Sequence, residues 1–273
     1  MQKWLAGAAA LFVVGVLGSG SLLLAQSGKS AKTGADSSTN SSVNSVSKSF
    51  DPRDFSGVWD TAPFMQPVNE VHPFGGPPGT PAPPFTPQGE AKYKANLKFI
   101  ESGAVLDCDP LGTSRALFSP RPFEIFMTGD RVLQHFEYYD LWREIWTNGK
   151  KFDPDVMDPS YMGFSSGKWE GDAFVVDVTG YNGKTFLSSS GLPLSDAMHQ
   201  TERWQRVNYD TLKVLITLDD PKMYSKPWTV TYFYKLKDWK LNAIPCTMSG
   251  NREWDQKMGH ADKLPGLDYK SRN

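Results

Sequence analysis

From Pro122 onward apolar and polar side chains alternate with a period of two, the spacing of strands that set one face against a core. PFEIFM and RVLQHFEY flank Thr128-Gly129-Asp130, and DLWREIW runs into Asn148-Gly149, the strongest short hairpin signal. KWEGDAFVVDVTGY turns at Glu170-Gly171-Asp172 and then sets Phe174, Val176 and Val178 on one face. QTERWQRV, TLKVLITLDD, WTVTYFYKL and KLNAIPC repeat the pattern, with turns at Asn208-Tyr209-Asp210 and Lys237-Asp238-Trp239. With RDFSGVWD (53–60) in front, the count reaches about nine strands.

The period changes only once. TPQGEAKYKANLKFIES carries Thr86 as N-cap, Pro87 at the first helical position and Tyr93, Leu97 and Ile100 in one apolar stripe, which predicts a helix over about 87–101. Pro63 to Pro87 is dense in Pro and Gly and predicts a long loop or lid, because Pro lacks a donor and fixes its own backbone angle. Short connections and one helix predict an antiparallel meander, since parallel strands need long crossovers. Closure into a barrel removes the edges of such a meander. Large side chains on both faces of LWREIW (141–146) agree with two covered surfaces, and a two-sheet sandwich is the alternative.

Composition adds the termini and the compartment. Residues 1–25 hold one Lys, an apolar run from Trp4 to Leu17 and small residues up to Ala25, the pattern of a cleaved signal peptide, interrupted by glycines too often for a membrane span. No cysteine lies near Ala25, so a lipid anchor is not expected. Residues 26–49 are Ser-rich and read as a disordered linker, 50–250 as one β domain and 251–273 as a polar tail. Loss of Lys3 moves the formal charge from -1 to -2, which does not suggest nucleic acid as a partner. Cys108 and Cys246 in an exported chain predict a disulfide between an early loop and the end of the last strand.

The candidate chemistry is sparse. GFSSG (163–167) satisfies G-x-S-x-G with Ser165 as the nucleophile, yet a strand follows where the nucleophile elbow needs a helix. His135 and Glu137 share a strand face, but two ligands do not make a metal site. Asp219 and Asp220 fall equally short of a cation cage. SDAMHQTER concentrates Asp196, His199, Glu202 and Arg203, a way to present an acid/base pair at a barrel mouth, or else a charge ladder on a solvated strand. Arg143 and Asp177 each share a face with apolar or small neighbours, so an inward-facing Arg143 requires a partner such as Asp177 or Glu202. Trp142, Trp146, Trp169, Trp204 and Trp228 fall on or beside strands and suit either a core or a site for sugars or flat apolar ligands.

Two resemblances sharpen this. Gly57-x-Trp59 resembles the opening motif of the lipocalin and calycin barrels, and that resemblance implies that Trp59 closes one end of a barrel under the guanidinium of Arg252. CDPLGTSR, SPRPFEI, GKWEGDAFVVD, SDAMHQTERWQR and DDPKMYSKPWTV resemble a family of exported bacterial proteins of unknown function across most of residues 55–247. That resemblance implies a bacterial, periplasmic or secreted setting and carries over no catalytic residues. The expectation is a calycin-like β-barrel that binds a small apolar or amphipathic molecule, with Asp177, Trp142, Trp204, Glu137 and His135 as contacts and no cofactor or metal. The rival is a cofactor-free hydrolase, lyase or isomerase using His199, Asp196, Glu202 and Arg143, and a third reading is an envelope structural or interaction protein.

Overall fold

The computed structural model describes residues 48–61, 80–101, 108, 110–119 and 121–247. Its strands belong to the unit Val46–Asn273. They are β1 (Gly57–Thr61), β2 (Phe123–Met127), β3 (Arg131–Phe136), β4 (Leu141–Trp146), β5 (Phe164–Glu170), β6 (Ala173–Thr179), β7 (His199–Asn208), β8 (Thr211–Asp219) and β9 (Trp228–Lys237). Each pairs with the next in sequence, and β1 pairs with β9, so the nine close into a barrel. The expected barrel and meander order are therefore present. KLNAIPC, expected as a strand, forms only an isolated bridge from Ile244 to Tyr138.

One pairing departs from the antiparallel expectation. β4 and β5 run parallel, joined only through Ile145↔Ser165 and Trp146↔Ser166. Asn148-Gly149 does turn the chain, with Gly149 at φ +84° and Lys150 N–H donating to Asn148 Oδ1 at 3.2 Å, but no strand returns beside β4. Residues 147–163 instead travel outside the barrel, which supplies the long connection that a parallel pair demands. Backbone bonds at 3.0 Å from Ser160 N–H to Gly180 O and from Asn182 N–H to Ser160 O fix that excursion. A Cβ on Gly167 of β5 would lie 2.3 Å from the Phe174 ring, so the packing of that ring over the β5 backbone requires glycine.

Alternation decides what fills the barrel. Gln200, Glu202, Trp204 and Arg206 of β7, Leu212, Val214, Ile216 and Leu218 of β8, and Trp228, Val230, Tyr232 and Tyr234 of β9 are buried, while the residues between them are more exposed. Phe123 is the hub of an aromatic cluster, its ring centroid 4.8 Å from Tyr234, 5.8 Å from Phe136 and 6.5 Å from Trp204. Trp59 is wholly buried and its indole donates to Phe55 O at 2.7 Å. Arg252, expected over this ring, lies outside the described residues. Among those described, the guanidinium over Trp59 is that of Arg206, 5.5 Å from the ring centroid and donating to the carbonyls of Asp54 and Tyr209.

Two helices lie among the described residues where one was expected. In α1 (Pro87–Glu101) the predicted cap is in place, Thr86 Oγ1 accepting the Gly89 N–H at 2.9 Å. Its contact face runs through Gly89, Tyr93, Asn96 and Ile100, because the helix approaches the Met223 carbonyl so closely that a Cβ at position 89 would lie 1.9 Å from it. The second helix, α2 (Gly112–Phe118), is almost entirely buried. It packs on inward side chains, with Ser114 Oγ donating to Gln200 Oε1 at 2.5 Å and Tyr234 Oη donating to Leu117 O at 3.3 Å. The disulfide forms as expected, joining Cys108 to Cys246 with their Cα atoms 5.6 Å apart. No helix among the described residues is long and apolar enough to cross a membrane.

Burial holds the hydroxyls of Tyr181, Tyr224, Tyr232 and Tyr234 above the ordinary phenol range. Each is neutral in the fold and ionises more readily when unfolded. Their contribution to stability is therefore complete below about pH 10 and is lost as the pH rises beyond it. In an alkaline titration followed by phenolate absorbance, these four of the ten tyrosines are expected to remain silent until the barrel unfolds. Smooth titration of every tyrosine in a folded protein would contradict the packing described.

Candidate functional site

Among the described residues, the barrel interior holds a buried ion pair. Arg143 on β4 and Glu202 on β7 are not sequence neighbours, but both point inward and closure of the sheet brings them together. Arg143 is 3% exposed and Glu202 0%. The pair is bidentate, with Nη2 to Oε1 at 2.7 Å and Nη1 to Oε2 at 3.1 Å. Arg143 Nη1 also donates to Gln134 Oε1 at 3.2 Å and Nε to Ser165 Oγ at 2.9 Å. On the carboxylate, Gln200 Nε2 donates to Oε1 at 2.6 Å and the Trp204 indole to Oε2 at 2.8 Å. Each Glu202 oxygen thus accepts two hydrogen bonds, which uses the acceptor capacity of a carboxylate and suits an anchor rather than a general base.

The network continues to Ser114 and Tyr181, which both approach Gln200 Oε1. Three buried polar groups have no hydrogen-bond partner among the described residues, Gln134 Nε2, the Trp228 indole N–H and the Tyr232 hydroxyl. Of the five N–H groups on Arg143, four are engaged by described residues. A buried polar centre with donors to spare is where a polar ligand gains most.

A groove in the barrel wall adjoins this centre. Because β4 and β5 join through so few residue pairs, a groove of about 200 Å³ opens beside the seam. Arg143 and Ser165 lie on its inner side, and Trp142, Glu144 and Trp146, from the alternate face of β4, lie at its rim with Phe164 of β5. Trp142 is 50% exposed, an unusual position for so large an apolar ring. It stacks on His135 at a centroid distance of 4.1 Å and an interplanar angle of 6°, and Phe126 stacks at 5.9 Å. His135 in turn meets Asp140 Oδ1 at 2.6 Å. Trp146 lies between two cations, Arg131 and Lys150, each 3.9 Å from its ring centroid. These contacts hold both indoles in place as a rigid aromatic rim.

The remaining sequence-predicted residues do not converge here. His199 and Asp177 lie on the outer face of β7 and β6, paired through Nε2 and Oδ1 and about half exposed. Asp196 pairs with Lys222 on the surface, and that cation lowers its carboxyl below the ordinary range. His199, Asp196 and Glu202 therefore occupy three separate places, and only Glu202 and Arg143 of the proposed acid/base set meet. Trp204 is a core residue bonded to Glu202. Glu137, just past β3, accepts the backbone N–H of Ile244 at 2.9 Å through its carbonyl and so holds the C-terminal segment. Ser165 sits within β5 under Arg143, between strands rather than before a helix, so the serine-nucleophile geometry is not formed. Asp220 caps the loop after β8, accepting the Ser195 backbone N–H and hydroxyl. No cluster of three or more potential ligand residues able to hold a metal exists among the described residues. Sequence reasoning missed the roles of Ser165, Gln134 and Gln200, and the signal available was the placement of polar residues on inward positions of otherwise apolar strands.

The fold and site define a closed nine-strand β-barrel with a buried ion pair beside an aromatic-rimmed wall groove. No family model, curated protein or solved structure matches this chain.

Proposed function

We propose that this protein is an exported, lipocalin-like binding protein whose ligand is a small amphipathic ring compound held in the groove between β4 and β5. The carrying observation is that one groove joins an aromatic rim, Trp142 and Trp146, to a polar floor, Arg143 and Ser165. A flat apolar face stacks on the rim while a hydroxyl or carbonyl edge meets the floor, the usual division of labour in a small-molecule site. At about 200 Å³ the groove is smaller than the roughly 300–1,000 Å³ of drug-sized sites, so the occupant has the dimensions of a single ring, such as a monosaccharide or a phenol. The disulfide supports a place outside the reducing cytoplasm, and a bacterial periplasm fits the exported-family resemblance.

Saturation-transfer NMR with a panel of monocyclic sugars and phenols tests this reading. Wild-type protein is expected to saturate at least one ring ligand, and Trp142→Ala to weaken that ligand by about 3- to 10-fold, the loss of one stacking contact. Equal binding by Trp142→Ala, or no saturated ligand in the panel, would refute the assignment.

A further inference from the structure

A second pocket, of about 330 Å³, shares no lining residue with the wall groove and lies where α1 and α2 meet the loop before β7. Its size falls within the range of sites for drug-sized ligands. Lys92, Asn96 and Phe99 come from one face of α1, Arg115 from α2, and Lys184 and Phe186 from the loop. No lining residue is acidic.

The pocket has both an apolar and a cationic part. Phe99 and Phe186 meet edge to face with centroids 6.0 Å apart, and Arg115 lies 5.9 Å from the Phe186 centroid. Phe99 is 43% exposed, so the apolar wall opens to solvent. Lys92 and Lys184 form no ion pair among the described residues, and the acid nearest in sequence to Lys92, Glu90, is engaged by Lys94 at 2.6 Å. Asn96 is buried and donates to Gly191 O at 2.9 Å, which ties the helix to the loop and keeps the two walls apart at a fixed spacing. Two phenylalanines under a set of cations complement a molecule with an apolar body and an acidic group. Neither part alone would distinguish it from a neutral hydrophobe or an inorganic ion.

We infer that this pocket binds an amphipathic organic anion, its carboxylate, sulfonate or phosphate facing Lys92, Lys184 and Arg115 and its apolar body against Phe99 and Phe186. The inference is independent of the wall groove and survives if the groove proves empty. Its ligand differs in charge from the ring compounds assigned there.

The full chain titrated with anilinonaphthalene sulfonate, an aromatic anion, and with N-phenylnaphthylamine, its uncharged counterpart, provides the test by fluorescence. Saturable 1:1 binding of the sulfonate to folded protein is expected, weakening as salt is added. Lys92→Glu combined with Lys184→Glu, both exposed and so harmless to the fold, is expected to weaken the sulfonate roughly tenfold and leave the neutral probe within about twofold. Phe99→Ala is expected to weaken both probes, and Trp142→Ala neither. Equal sulfonate affinity in the charge-reversed protein, no saturable sulfonate binding at all, or loss of the signal with Trp142→Ala would overturn the assignment.

Discussion

Glu202→Leu is expected to destabilise the barrel by about 3–5 kcal/mol, because it leaves the Arg143 guanidinium buried at 3% exposure with no counter-charge. In a domain of this size that corresponds to a fall in Tm of roughly 6–20 °C. The same substitution strips partners from Gln200 Nε2 and the Trp204 indole, which adds to the cost. Arg143→Met in the Glu202→Leu background is expected to restore most of that stability, since removing both charges from an apolar interior is often neutral or favourable. Thermal unfolding of the two variants separates a paired buried charge from two surface charges. A small effect of Glu202→Leu alone would mean that water reaches the pair. The double variant also separates stability from binding, because it is expected to fold and yet lose affinity for ring ligands in the groove.

Removing the disulfide is expected to have an effect of similar size by another route. Cys108 and Cys246 are 138 residues apart, so the bond encloses most of the barrel strands in one covalent loop. Chain entropy assigns about 5 kcal/mol to a closure of that length, an upper value that native strain reduces. Paired Cys108→Ser and Cys246→Ser replacement is expected to lower the midpoint of chemical denaturation with little change in its slope per unit of surface exposed, or to raise that slope where the untethered chain unfolds more fully. The effect acts through the unfolded chain, so the ring-ligand affinity of the folded variant is expected to match wild type. Loss of affinity together with stability would instead place the C-terminal segment in the site.

Part of this was legible in the chain and part was not, for reasons tied to particular residues. Period-two alternation reveals strands wherever one face is apolar, and from Pro122 onward it identified all but β5, while KLNAIPC, also read as a strand, forms only a bridge. FSSGKWE shows no such alternation because its inward positions are Ser165 and Gly167, and Gly167 makes room for the Phe174 ring. α2 is too short for a helical period to show, and its Thr113 and Ser114 look like surface residues although both are buried and bonded. Asn148-Gly149 was misleading in a more specific way. The local turn forms, but whether the next strand returns beside the last is decided by what the sheet can pair with, and that is a property of the whole barrel.

The site shows the same division. That an inward Arg143 needs an acid follows from the cost of burying a charge, and Glu202 was among the two candidates on that ground alone. The choice between Asp177 and Glu202 is a matter of parity. Asp177 lies on the outward side of β6, opposite in pleat to Val176 and Val178, and Glu202 lies on the inward side of β7. The clustering of Asp196, His199 and Glu202 in sequence misled because three residues close along a strand and its loop are sent to different surfaces. The cationic pocket joins segments from residues 92–99, 115 and 184–186, which no periodicity connects.

The central claim is that ligand recognition belongs to the wall groove and reaches the buried ion pair. Nitrogen-15 chemical-shift mapping on the intact protein, with a ring ligand found by saturation transfer, tests it most directly. The account expects the largest shifts at the Trp142 and Trp146 indole N–H groups and at Arg143 Nε–H, which Ser165 holds in place at 2.9 Å. Shifts centred on the outer His199–Asp177 face or on the phenylalanine pocket, with those three signals unmoved, would contradict it.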